Sequence, residues 1–149
     1  MSQLSFASLR SKNSRPIRAE VFLQNMKKII PWKRLCDVIK PHYYNNKTGR
    51  PAMELLLMLR IYCLAQWFNL SDLAAEEAIS DRHSFQKFLE LDLMEDRIPD
   101  ETTILQFRHL LEKHNLANKV LATINTYLEE KGLLMKEGTI VDATLIFCA

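Results

Sequence analysis

The sequence predicts an all-α protein, a helical bundle with a single β-rich run at its C-terminal end. Three observations lead there. Only three glycines and five prolines occur in 149 residues, which favours helix over sheet. Apolar residues recur at helical spacing through most of residues 20–131, with Ser, Asp and Asn standing where helices would begin. The stretch from Thr139 to Phe147 is β-rich and breaks that pattern.

The elements follow in order. Residues 1–18 are polar and basic, with Arg10, Lys12, Arg15 and Arg18, and read as an arm. Glu20 to Ile30 has a helical pattern with Lys27 and Lys28 outward. Pro31 suits the first turn of a second helix, Trp32 to Lys40, which Pro41 is expected to stop. His42 to Arg50 reads as a basic loop with two exposed tyrosines, Tyr43 and Tyr44. Pro51 then opens the most apolar helix, Ala52 to Phe68, whose apolar character nearly all round marks it as the buried centre of the bundle. A membrane span is rejected here, because Glu54, Arg60 and Gln66 interrupt the roughly 20 apolar residues that a span needs. Ser71 is the expected cap of a helix from Asp72 to Ile79. Ser80 or Asp81 is expected to start the next, which turns Phe85, Phe88 and Leu89 inward. An acidic loop, Leu91 to Pro99, precedes a helix capped by Asp100. Asn115 is the expected cap of the last helix, Leu116 to Lys131, with Gly132 at its left-handed C-terminal position. The helical domain is thus placed at 19–132, and the β-rich segment falls in 133–149. A lone strand is not stable in water, so that run either docks on the bundle or begins a sheet.

Composition bounds the function. A hydrophobic fraction of 48% supports a real core. The net charge of +2 conceals an asymmetry: residues 1–60 carry twelve Lys/Arg against three Asp/Glu, and residues 61–149 carry eight against fifteen. A basic first part is the electrostatic footprint of phosphate contacts, or else a solvated surface. Cys36, Cys63 and Cys148 have no metal-binding or disulfide spacing and read as free thiols of a reducing compartment. With no apolar segment in the first residues to act as a signal peptide, a cytoplasmic location is expected.

The helix after Asp100 is the candidate site. Ile104, Phe107 and Leu111 share one face, while Thr102, Gln106, His109 and Lys113 fall on the opposite one, with Thr103 and Arg108 alongside. A short helix held by an apolar face and showing such a stripe has the make-up of a helix-turn-helix recognition helix. The alternative is an ordinary amphipathic surface helix, and Asp100 and Glu101 stand where a phosphate would otherwise sit. Lys47, Arg50, Arg15 and Arg18 are the candidate backbone contacts, and Gln106 and Arg108 the candidate readers of adenine and guanine. Asp142, inside the β-rich run, is unusual because a buried carboxylate needs a partner or a metal.

Six stretches together resemble a known family: Arg50-Pro51, Trp67 to Asp72, Phe88 to Leu93, Arg97 to Ile104, Phe107 to Glu112 and Gly138 to Thr144. In this order they look like a bacterial transposase of the insertion-sequence-five type, within the Asp-Asp-Glu superfamily, over about Leu4 to Ile146. The resemblance implies a helical N-terminal part that binds double-stranded DNA at the element's terminal inverted repeats. It further implies that 133–149 is the start of a ribonuclease-H-like catalytic domain, that Asp142 is its first catalytic and metal-binding carboxylate, and that Mg²⁺ serves the full-length family. The tail Phe147-Cys148-Ala149 departs from the family's pattern, and the other two carboxylates are not in the sequence. Two-metal phosphoryl transfer needs several carboxylates, so these residues are expected neither to catalyse nor to carry a cofactor. A DNA-binding fragment is the favoured reading. A protein that pairs with itself or with full-length transposase and inhibits it, an inert relic, and an enzyme rejoined by a ribosomal slip are the alternatives.

Overall fold

The computed structural model describes residues 15–43 and 52–133. Among them are seven helices and no strand. They are α1 (Arg18–Ile29), α2 (Trp32–Tyr43), α3 (Leu55–Trp67), α4 (Asp72–Asp81), α5 (His83–Leu89), α6 (Glu101–Lys113) and α7 (Leu116–Glu130). The β-rich run, and Asp142 with it, lies outside the described residues.

α3 is the axis of the bundle. Leu55, Leu57, Met58, Leu59, Ile61, Cys63, Leu64 and Trp67 are all buried, and the helix packs on α2, α4, α5 and α6. Each large apolar side chain so buried is worth roughly 1.5–3 kcal/mol against leaving it in water. α1 covers α5, α2 lies against α7, and α4 and α7 flank α6. No helix among the described residues is long and apolar enough to cross a membrane. Cys36 and Cys63 are free thiols, and burial pushes the Cys63 thiol far above its usual range.

Arg60 is the exception in that core. Its residue is 7% exposed, and its guanidinium stands over Trp32 at 5.3 Å and Phe88 at 5.8 Å from the ring centres. Its outer end lies 3.6 Å from Glu90. Glu90 closes α5 in the left-handed conformation at φ 57°, which costs a non-glycine residue about 1–2 kcal/mol. Lys27, 2.7 Å away, holds that residue from α1 and keeps its carboxyl below the usual range. The buried arginine, the strained turn and α1 are therefore joined through one carboxylate.

The helix limits differ from expectation at three places. Pro41 does not stop α2, which continues to Tyr43. A proline removes one backbone bond and crowds the carbonyl four residues back, but only His42 and Tyr43 follow it in α2. Tyr43 secures the last turn: its hydroxyl donates to the Met53 carbonyl and its ring packs edge-to-face with Phe107, ring centres 5.8 Å apart. Tyr43 is thus half-buried and helical rather than an exposed loop residue. The same contact keeps Met53 outside α3, which starts at Leu55 instead of Ala52. Ser80 and Asp81 stay in α4, and extended Arg82 caps α5 in their place. There the Gln86 amide donates to the Ile79 and Ser80 carbonyls, occupying the free carbonyl end of α4.

Candidate nucleic-acid interface

α6 begins as its sequence indicates. Pro99 is buried, and the Asp100 carboxylate accepts the Thr103 N–H at 2.8 Å. That cap occupies the positive end of the helix dipole, and exposed Glu101 adds to it, so the α6 N-terminus is not offered to a phosphate. Ile104, Phe107 and Leu111 are buried. Tyr43 and Tyr62 each pack edge-to-face with Phe107, which fixes the rotation of the helix about its axis.

With that rotation set, Thr102, Gln106, His109 and Lys113 are all exposed on the opposite face. Thr103 is half-buried beside the cap. Arg108 is engaged: its Nη2 lies 2.8 Å from Asp72 Oδ2, its Nε 3.4 Å from Oδ1, and its Nη1 3.4 Å from Glu112. The Asp72 carboxylate raises the Arg108 pKa further. To read a base, Arg108 must first release α4. Behind it a cleft of about 320 Å³ opens between α3, α4 and α6, floored by Met58, Ile61 and Phe107 and rimmed by Asp72 and Arg108.

The other expected contacts are not gathered on α6. Arg15 and Arg18 are exposed at the start of α1, a helix packed on α5, whereas α6 packs on α2, α3, α4 and α7. Lys47 and Arg50 lie outside the described residues, as does Asp142. Among the described residues no three His, Cys, Asp or Glu side chains come together to hold a metal ion.

The far end of α6 holds what sequence reasoning missed. His42, in the last turn of α2, and His114, just past α6, face each other with ring centres 4.3 Å apart and planes tilted by 32°. Partial desolvation first, then the charges of His42, Lys113 and Lys119, hold the His114 pKa below its ordinary range. The Asn115 expected to cap α7 instead turns the chain at φ 52° and gives α7 no side-chain cap; its carboxamide oxygen accepts from the Asn118 amide at 2.7 Å. No local spacing announces a contact between two helices so distant in sequence. Only the repeated placing of histidine at helix ends was there to be read.

A family model described as Transposase domain (DUF772) matches residues 9–110, a span that takes in α1 to α5 and most of α6. No solved structure matches the chain.

Proposed function

This chain belongs to the transposase domain (DUF772) family, and from that premise we propose that its helical body is the DNA-binding part of an insertion-sequence transposase. In this reading it recognises the element's terminal inverted repeats, with α6 in the major groove. The observation that carries it is the exposed row of Thr102, Gln106, His109 and Lys113 on a helix whose opposite face is locked by Ile104, Phe107 and Leu111. Such a row can place an amide on an adenine edge and a lysine on a phosphate. Affinity falls to the basic residues Arg15, Arg18, Lys47 and Arg50, because phosphate contacts supply binding without sequence information. Arg108 is assigned to holding the helix. Cleavage and strand transfer are outside the proposal, since they require carboxylates beyond Asp142.

The test is electrophoretic mobility shift with the inverted repeat that flanks the gene against a scrambled duplex, at several salt concentrations. Preference for the repeat supports the reading. Equal binding to both duplexes at every salt concentration refutes it.

A second reading, a protein that pairs with a transposase, has its own observation. Val21, Phe22 and Ile29 of α1, and Ile17 just before it, are exposed apolar side chains, on a helix that packs on α5. Size-exclusion chromatography that shows a stable dimer disrupted by Val21→Asp, in a chain without DNA preference, would favour it.

A further inference from the structure

The corner where α2 and α6 end and α7 begins is made of basic groups. His42 comes from α2, Lys113 and His114 from the end of α6, and Lys119 from the first turns of α7. Lys113 and Lys119 are exposed, and both imidazoles are half-buried. The charged groups that act on His114 are His42, Lys113 and Lys119, with no carboxylate among them. At 4.3 Å between ring centres, two imidazolium ions repel each other unless a negative charge stands beside them.

The backbone points the same way. α7 starts without a side-chain cap and with no acidic residue in its first turn, so no side chain or carboxylate offsets the positive end of its dipole. The α6 N-terminus differs in both respects, with Asp100 bound to it and Glu101 beside it. An anion approaching the stripe is repelled at one end of α6 and attracted at the other. Lys113 belongs to both the stripe and the corner.

We propose that His42, Lys113, His114 and Lys119 form a phosphate clamp in which His114 takes up a proton from water as the corner engages the sugar-phosphate backbone of duplex DNA. The inference rests on the reading of α6 as the DNA-contacting helix and adds where the backbone is gripped and how pH controls the grip. A phosphodiester suits the corner because it offers several acceptor oxygens to donors converging from three helices. Binding draws a proton onto His114, so affinity must rise as pH falls.

The experiment is fluorescence anisotropy of the purified chain with a labelled mixed-sequence duplex at low salt. Sequence preference is not needed, because backbone contacts are sequence-independent. Between about pH 8 and about pH 6 the duplex should bind about tenfold more tightly, and His42→Gln/His114→Gln should lose that gain while still binding. Since the double change also alters packing, the unmodified chain supplies a second readout. Its His114 ring resonances, followed by NMR across pH, should titrate at higher pH with duplex present than without it. A pH-independent affinity, a gain retained in the double variant, or an unmoved His114 titration overturns the clamp and leaves the DNA reading standing. Failure to bind any duplex at either pH overturns both. Polyglutamate competing as well as duplex also overturns the clamp, since it assigns the corner to an acidic protein surface.

Discussion

The Arg108 guanidinium stands 2.8 Å from the Asp72 carboxylate, and this pair ties the helix bearing the polar stripe to the first turn of α4. Asp72 owes its place to Ser71, whose hydroxyl accepts the Ala74 N–H at 3.1 Å and starts α4 there. Arg108 owes its place to Phe107, which faces the core and sends its neighbour sideways towards α4.

Arg108→Lys should therefore reduce stability and leave base preference unchanged. A lysine keeps the charge but loses the two-nitrogen contact with Asp72. Arg108 is more than a third exposed, so solvent screening limits the loss to about 0.5–1 kcal/mol. Urea denaturation measures the first part. Binding to repeats substituted at each position measures the second, and a change of preference at a guanine would make Arg108 a reader after all.

Arg60 should show the opposite dependence on size and charge. Arg60→Ala leaves a cavity between Trp32 and Phe88 and should cost on the order of 3 kcal/mol. Arg60→Met fills most of that space and removes a buried charge whose Nε has no hydrogen-bond partner. Its cost should stay below about 1.5 kcal/mol. Thermal or urea unfolding of both variants checks the order. If methionine proves as damaging as alanine, the Glu90 contact outweighs the stacking.

The residues that sequence reasoning placed well have local causes. Asp100 caps the helix that follows it, Ser71 caps the next turn along from it, and Ile104, Phe107 and Leu111 go inward because the helical period alone selects their face. The burial of α3 follows from having no polar side wide enough to face water. What was not legible depends on partners far along the chain. Arg60 reads as an interruption in an apolar helix, and only Trp32 and Phe88 make its burial tolerable. Pro41 reads as a stop, and only Phe107 and Met53 explain why α2 goes on to Tyr43. Arg108 has the composition of a base reader until Asp72 is set beside it, and the His42–His114 stack joins two helix ends that no local pattern connects.

Acid should weaken the fold at that stack. The His114 pKa lies below the ordinary histidine value of 6.5 in the folded chain, so the unfolded chain binds that proton more readily. The contribution is therefore fully present above the unfolded value and is lost progressively as pH falls below it and through the lower, folded value. Between about pH 7.5 and about pH 5.5 the urea midpoint should decline, and His114→Gln should decline less. A variant that follows the parent chain would place the acid sensitivity elsewhere.

The expected roles of the stripe and the basic residues separate when each is removed. Base edges carry sequence information and phosphates carry none, so the two groups should fail in different ways. Gln106 is exposed at the middle of the stripe, where a side-chain amide can pair with an adenine edge. Gln106→Ala should cost about 1–3 kcal/mol on the inverted repeat and little on random duplex. Lys47 and Arg50 lie outside the described residues, and their expected role comes from charge alone. Removing both should weaken binding to all duplexes alike and reduce the log–log salt slope by about one for each lost contact. The reading of α6 as a protein-contacting helix makes a different demand, because Asp100 and Glu101 would then keep DNA away and Gln106→Ala would change nothing. Mobility shifts of Gln106→Ala and His109→Ala on repeat and scrambled duplexes decide between them. Repeat preference that survives both substitutions means that α6 is not the reader.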